Sequence, residues 1–333
     1  MIRSILTFLP SLLYRGITSF RNFLFDQGIL ATQTFDKPFL ISVGNLSVGG
    51  TGKSPFVAYL IQHWPWKSEI GILSRGYGRK SKGFRWVDAT ASATEVGDEP
   101  LAYKKMFDKI PVAVCEKRSA GVQRMMDELP FLDTILLDDA FQHRSIGRHI
   151  NVLCTTYQAP FFQDYVLPMG RLRESRSGAK RADLVIVTRC PDEIDQKVFD
   201  HLDVPVFFTQ VRYGKPVGQQ ASQQWHALAG IADPIPFFQH LRSTGEILSE
   251  RIFPDHHAFS QQEILDLERL AQNLPDHQAI MTTHKDFVRL EQYFSQAPNL
   301  KQKLAYLPME IRFVGGDHAF WSLMARLMKR EIA

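Results

Sequence analysis

Residues 45–60 read NLSVGGTGKSPFVAYL, and this stretch decides the fold. An apolar run, KPFLISVGN (37–45), feeds into it, and a helical pattern, SPFVAYLIQHW (54–64), leaves it. Gly49, Gly50 and Gly52 let the backbone turn tightly and aim successive N–H groups into one concavity. The concavity opens at a helix N-terminus, where the dipole favours an anion. Lys53 has the reach for β/γ-phosphates, and the Ser54 hydroxyl suits Mg²⁺. Pro55 falls in the first helical turn, where its missing N–H costs nothing. One position departs from the strict phosphate-loop spacing: Ser47 stands where glycine is usual. Gly49, Gly50, Thr51, Gly52, Lys53 and Ser54 are therefore the expected nucleotide-binding set.

Outward from this loop the chain alternates apolar strands with helical segments. EIGILS (69–74), KIPVAVCE (109–116), FLDTILLDD (131–139), INVLCTT (150–156), ADLVIVTR (182–189) and VPVFFTQV (204–211) read as strands, and RSAGVQRMMDEL as a helix between two of them. Strands that are apolar throughout, not alternating, indicate a sheet buried on both faces. The expected fold is α/β, a P-loop NTPase-like, doubly wound, mostly parallel sheet. After the polar stretch RYGKPVGQQASQQW (212–225) the pattern restarts. HALAGIADP, GEILSERIF, QAIMTTHKD and AYLPMEIRF read as strands, SQQEILDLERLAQNL as a helix with a Ser260/Glu263 capping box, and a last helix begins near Asp317. Three parts are expected: residues 1–28 as an amphipathic helix, 29–215 as the P-loop core, and 225–333 as a smaller C-terminal α/β lobe closing over the cleft.

Composition sets limits on function. A 44% hydrophobic fraction and a net charge of +4 over 333 residues describe an ordinary globular surface, not a nucleic-acid binder. Cys115, Cys154 and Cys190 are odd in number and far apart. That excludes a CxxC metal site and a disulfide framework, and predicts buried thiols in a reducing compartment. No run reaches the roughly 18–20 apolar residues of a spanning helix. At the N-terminus, Ile2, Leu6, Leu9, Leu13, Ile17, Phe20 and Leu24 share one helical arc, while Arg3, Arg15, Arg21 and small polar residues lie off it. The first acid is Asp26. Such a helix suits an anionic membrane surface; a helix docked on the protein's own core has the same pattern, and Pro10 would kink or split it.

A metal-organising carboxylate is expected at the end of a neighbouring strand. TILLDDAFQHR (134–144) supplies Asp138, with Asp139, Gln142, His143 and Arg144 in the turn that follows.

Seven segments, SVGGTGKSP, LSRGYGR, VGDEP, LLDDAFQHR, GRLRES, FPDHHAF and TTHKD, occur in this order and span essentially the whole chain. Together they resemble the tetraacyldisaccharide 4′-kinase family of lipid A synthesis. The resemblance implies transfer of the γ-phosphate of ATP, with Mg²⁺, to the 4′-hydroxyl of tetraacyldisaccharide 1-phosphate, giving lipid IVA. It implies a peripheral location at the cytoplasmic face of the inner membrane, which fits the N-terminal arc. Asp98 of VGDEP matches the family's catalytic carboxylate; taken alone it reads as a surface loop acid. His256 of FPDHHAF matches the histidine that acts with it. Glu99 joins Ser54 and Asp138 as a metal candidate, and Arg75, Asp139, His143, Arg173 and Glu174 are the candidates for holding the glycolipid. GRLRESRSGAKR (170–181) carries a local charge of +4, with arginines suited to a phosphate. The prolines usual beside its Arg-Glu pair are replaced by Arg171 and Ser175, and His284 of TTHKD stands where the family often has an acid. Lys285 and Asp286 are expected near the nucleotide or in a structural role, and Thr188 and Arg189 beside the base.

Two other readings compete. A membrane-recruited ATPase switch of the MinD/ParA type shares the double-glycine loop, but its signature lysine would stand at Val48. A soluble kinase of a small metabolite would pack the N-terminal helix on its core.

Overall fold

The computed structural model describes residues 2–218 and 223–329. Its strands are β1 (Phe39–Gly44), β2 (Ile70–Ser74), β3 (Arg85–Trp86), β4 (Val112–Val114), β5 (Thr134–Asp138), β6 (Ile150–Thr156), β7 (Leu184–Thr188), β8 (Val206–Tyr213), β9 (Gln224–Ala229), β10 (Glu246–Ile252), β11 (Gln278–Thr283), β12 (Leu304–Leu307) and β13 (Met309–Phe313). The α-helices are α1 (Ile2–Asp26), α2 (Lys53–Gln62), α3 (Ala93–Val96), α4 (Asp98–Met106), α5 (Arg118–Glu128), α6 (Ile235–Thr244), α7 (Gln261–Asn273), α8 (His284–Glu291), α9 (Pro298–Lys303) and α10 (His318–Met328).

The apolar runs form a sheet of order β13-β8-β7-β6-β1-β5-β2-β4-β3 among the described residues. Its inner pairs are parallel; only the edge pairs β3/β4 and β8/β13 are antiparallel. Strands β2, β4, β5 and β7 are buried along their whole length, as two covered faces require. On one face Phe56 and Leu60 of α2 and Phe320 and Met324 of α10 pack on Ile41, Val43 and Leu136. On the other, Val122 and Met125 of α5 pack on Leu40, Ile135 and Leu137. Neighbours along β1 and β5 thus serve opposite faces, the period-2 alternation of a strand. The expected α/β fold is what the chain adopts.

A second sheet, β10-β9-β11-β12, is wholly parallel. Phe237, Phe238 and Leu241 of α6 cover one side, and Ile264 and Leu267 of α7 with Leu290 of α8 and Leu300 of α9 cover the other. The Ser260/Glu263 capping box forms, the Glu263 carboxylate accepting the Ser260 N–H at 2.7 Å.

AYLPMEIRF departs from its expected single strand. Pro308 divides it into β12, which pairs with β11, and β13, which pairs with β8 of the large sheet. The reason is that proline cannot donate to a ladder. Residues 309–328, expected in the smaller lobe, therefore return to the large sheet. Of the junction expected near 215–225, residues 219–222 lie outside the described residues, as do Met1 and 330–333. Cys115, Cys154 and Cys190 are free and buried, as expected.

Helix α1 runs through Pro10 as one helix, so the chain is not split there. Its orientation inverts the usual amphipathic rule. Ser11 is buried and donates to the Val166 carbonyl at 2.7 Å, and Asn22 donates to Glu174 Oε2 at 2.6 Å. Arg144 binds the Asn22 carbonyl and Asp26, and the Arg21 and Arg144 guanidiniums each lie 5.2 Å from the Phe25 ring centre. The opposite side leaves Leu9 71%, Leu13 67%, Ile17 59% and Phe20 62% exposed. The apolar arc is thus not spent on the protein's own core. The side chains of Ile2, Arg3 and Leu6, also assigned to this helix, lie outside the described residues. Among the described residues no helix is long and apolar enough to cross a membrane.

Candidate active site

The site gathers at the C-terminal ends of the parallel strands, where an open α/β sheet binds ligands. The loop after β1 takes left-handed turns at Gly49 (φ 97°) and Gly52 (φ 79°). At Gly52 a side chain is doubly excluded, because a Cβ would come within 2.9 Å of Thr188. Gly52 caps α2 with no side-chain bond to the first-turn N–H groups, so that helix end is open to an anion. The Thr51 hydroxyl accepts from Asn45 Nδ2 at 2.6 Å, and its carbonyl accepts from the Thr188 hydroxyl at 3.0 Å. Both bonds fix the loop's shape. Arg189, with its guanidinium close to Gly50, pairs with Asp233 of the smaller lobe at 2.5 Å.

Lys53, nearly buried, points its ammonium at Asp139 Oδ1, 3.2 Å away. Arg173 binds both oxygens of the same carboxylate, at 3.1 and 2.9 Å. Burial works against the charge of Asp139, but Lys53 and Arg173 outweigh it and hold the carboxyl below its usual range. Arg173 is brought there because residues 171–173 pair with the phosphate loop: the Arg171 carbonyl accepts from Val48 N–H, and Arg173 N–H donates to the Leu46 carbonyl. Glu174, an expected glycolipid contact, is buried; Asn22, Gln142 and Arg181 all donate to it, which makes it a tie between α1 and this loop.

Asp138 ends β5, fully buried. Its Oδ2 accepts from Ser74 at 3.1 Å, while Oδ1 has no hydrogen-bond partner among the described residues. Burial, then the charges of Glu99 and Asp139, push its carboxyl up to about 7. Ser54 donates to Glu99 Oε1 at 2.7 Å, and Lys285 of α8 reaches the same oxygen at 2.5 Å. Lys285, Lys53 and Ser54 outweigh the burial of Glu99 and keep its carboxyl low. A hydroxyl, a partly engaged carboxylate and a carboxylate oxygen with no partner are the donors Mg²⁺ uses when waters and phosphates complete its shell. The residues present fit that ion and fit a polyphosphate beside it.

Read alone, Asp98 was expected to be a surface loop acid; it is instead 7% exposed and opens α4. Gly97 before it (φ 89°) packs on Gly76, where a Cβ would come within 3.1 Å of the Gly76 Cα. Asp98 Oδ2 bonds His256 Nδ1 at 2.7 Å, with His256 in a left-handed conformation (φ 58°). Burial opposes ionisation of Asp98, yet the His256 bond and the Arg289 charge bring its carboxyl well below the usual carboxylate range. The same bond raises His256 above its ordinary value, against burial. His143 lies apart from this pair, next to Arg118. Burial, then Arg118 and Arg75, push it down to about 4, so it is neutral at pH 7. Arg75 is exposed.

Two residues at the site have no place in the sequence reading. Arg118 is 1% exposed and donates to the carbonyls of Cys115 and Asp138. Arg289, 4% exposed, pairs with Asp98. For Arg289 a signal existed: it lies four residues after Lys285, hence on the same helical face.

An open glycine loop at a helix end, with a lysine and a hydroxyl at its close and carboxylates beside it, is the arrangement of a P-loop nucleotide-binding protein. The chain belongs to the tetraacyldisaccharide-1-P 4′-kinase family, whose sequence profile it matches over residues 3–329. It is 41% identical to the tetraacyldisaccharide 4′-kinase of Flavobacterium johnsoniae, covering 100% of this chain and 99% of that one. It is 41% identical to that of Flavobacterium psychrophilum (93% and 92% covered) and 35% identical to that of Bacteroides thetaiotaomicron (91% and 87%). A crystal structure of LpxK from Aquifex aeolicus in complex with ATP superposes with a TM-score of 0.78 at 29% identity, over 98% of this chain and 99% of that one.

Proposed function

We propose that this chain transfers the γ-phosphate of ATP to the 4′-hydroxyl of tetraacyldisaccharide 1-phosphate, yielding lipid IVA, with Asp98 as proton acceptor and His256 as the group that orients it. Family membership carries the activity, an ATP-dependent 4′-kinase of lipid A biosynthesis, and disfavours the MinD/ParA switch. The observation that carries the residue roles is the 2.7 Å Asp98–His256 bond, made between the large sheet's α4 and the smaller lobe, beside the Ser54–Glu99 contact. A sugar hydroxyl is a poor nucleophile, and phosphoryl transfer is achieved by positioning and charge neutralisation. The N–H groups at Gly49–Ser54 and the Lys53 ammonium hold the polyphosphate. Ser54, Asp138 and Glu99 would hold Mg²⁺, which when bound would offset phosphate charge. Arg173, Asp139, Arg75 and His143 line the acceptor side. Residues 225–307 form the lobe that closes the cleft.

We also place the protein peripherally on the cytoplasmic face of the inner membrane, with α1 lying in an anionic leaflet. Its outward apolar arc supports this, since contiguous exposed apolar surface marks an interaction site. The test is incubation with γ-labelled ATP, Mg²⁺ and tetraacyldisaccharide 1-phosphate, with lipids resolved by chromatography. Label in a bis-phosphorylated lipid is the expected result; label in inorganic phosphate alone would make water the acceptor and refute the reading. Flotation with vesicles containing anionic lipid tests the location, and protein that stays with the lipid-free fraction would overturn it.

A further inference from the structure

Helices α4 and α8 face each other where the two sheets meet, joined by ion pairs from Asp98 to Arg289, Glu99 to Lys285 and Lys105 to Glu291. Arg289 differs from the others in that one arm of its fork is held within the smaller lobe while the opposite edge crosses to Asp98, with NH2 also 3.4 Å from His256 Nδ1. Its NH1 donates to Asp286 Oδ1 at 2.7 Å and to the Gly230 carbonyl at 2.8 Å. Asp286 is in turn held by the Gly230 N–H at 2.8 Å and the Thr283 hydroxyl at 2.7 Å. The remaining edge of the guanidinium addresses Asp98: Nε donates to Oδ2 at 3.1 Å, and NH2 donates to the same atom. A planar guanidinium tied on both edges cannot turn, so it fixes the plane of the carboxylate it meets.

The two oxygens of Asp98 consequently differ. Oδ2 receives Arg289 Nε, Arg289 NH2 and His256 Nδ1; among the described residues Oδ1 receives only the Glu99 N–H, at 3.0 Å. An ionised carboxylate has about two acceptor sites per oxygen. Oδ2 is filled, and Oδ1 keeps an open one.

We infer that Arg289 is the positioning residue of the phosphoryl transfer, and that Oδ1 of Asp98 is the atom that receives the acceptor's proton. The inference rests on the reading of Asp98 as proton acceptor. The acceptor O–H bond breaks and its proton passes to Oδ1. The freed oxygen bonds the γ-phosphorus, and the bond from that phosphorus to the bridging oxygen breaks, leaving ADP. Arg289 touches none of these atoms; it acts by holding Asp98.

The experiment is a double-mutant cycle with Arg289→Lys, Arg289→Gln, Asp98→Asn and the Asp98→Asn/Arg289→Lys double variant, using ATP and tetraacyldisaccharide 1-phosphate in detergent micelles. Turnover is normalised to the folded fraction from a thermal melt. Lysine retains the buried charge but cannot bridge Asp98 and Asp286 together. The expected result is a kcat about tenfold lower for Arg289→Lys and about a hundredfold lower for Arg289→Gln, the scale of a misplaced catalytic group, with the KM for ATP within about threefold. In the Asp98→Asn background the Arg289→Lys change should cost almost nothing further. Wild-type kcat in Arg289→Lys overturns the inference. So do losses that add fully in the double variant, and so does failure of both Arg289 variants to fold, which makes Arg289 a folding residue. Wild-type kcat in Asp98→Asn instead refutes the reading beneath it.

Discussion

The phosphate-loop half of the site and the half that meets the smaller lobe are built by different means. On the loop side the shape is set in the backbone, by the left-handed Gly49 and Gly52 and by the bonds to Asn45 and Thr188. On the lobe side, His256, Lys285 and Arg289 reach two carboxylates at the start of α4 through side-chain ion pairs. The first half is a shape that a strand and a helix impose on the loop between them. The second exists only when two separate sheets are in contact. Substitutions in the first half should therefore move nucleotide binding, and those in the second should move turnover.

The largest effect is expected for Asp98→Asn, a loss of about 10³-fold in kcat, within the range for removing a general base. ATP affinity, measured by calorimetry, should stay within about threefold; a parallel loss of ATP binding would break the division. Next is Gly52→Ala, whose side chain meets both a positive φ and Thr188. It should weaken ATP binding by about tenfold or more and lower Tm, since a left-handed non-glycine residue costs roughly 1–2 kcal/mol. Unchanged ATP affinity would show that the loop is not shape-determined. A third test concerns α1, which belongs to neither half. Leu13→Asp with Phe20→Asp should lower vesicle partitioning by at least about tenfold, given about 1.5–3 kcal/mol per large apolar side chain buried. Tm should not fall, because both side chains are mostly exposed. A large fall in Tm with unchanged partitioning would return α1 to the protein's own core.

The smallest effect is a pH dependence within α8. Burial, then the charge of Lys105, push His284 down to about 4. Its folded pKa lies below the ordinary 6.5, so the unfolded chain takes up this proton first as pH falls. The stabilising contribution is present above about pH 6.5 and is lost between 6.5 and 4. His284→Gln should flatten the fall of Tm across that window, and an unaltered slope would refute the shift.

Much of the loop-side half was legible in the sequence because its signals are local: an apolar run, glycines, Lys53-Ser54, and two acids at the end of another run. The lobe-side half was legible only through the family resemblance, which pointed to Asp98 and His256 without their surroundings. Asp98 could not be read as buried, because what covers it comes from α8, far along the chain. Helices α4 and α8 span nine and eight residues and carry many charged groups, so apolar periodicity does not announce them. Glu174 was expected against the glycolipid, but its partner Asn22 lies in α1 and no local pattern joins them. The division of AYLPMEIRF turned on one proline between two runs that looked like one.

That division has a structural consequence. In the antiparallel pair β8/β13, Tyr213 stands opposite Met309, so the chain leaves the large sheet and re-enters it at the same rung of the ladder. Across such a pair the Cα atoms are roughly 4.5–5.5 Å apart. The smaller lobe is thus spliced into a hairpin, and the ion pairs from α8 to α4 tie it to the large sheet a second time. A short turn joining Tyr213 to Met309 would close the hairpin and yield the large sheet as a separate unit, complete to its edge strand.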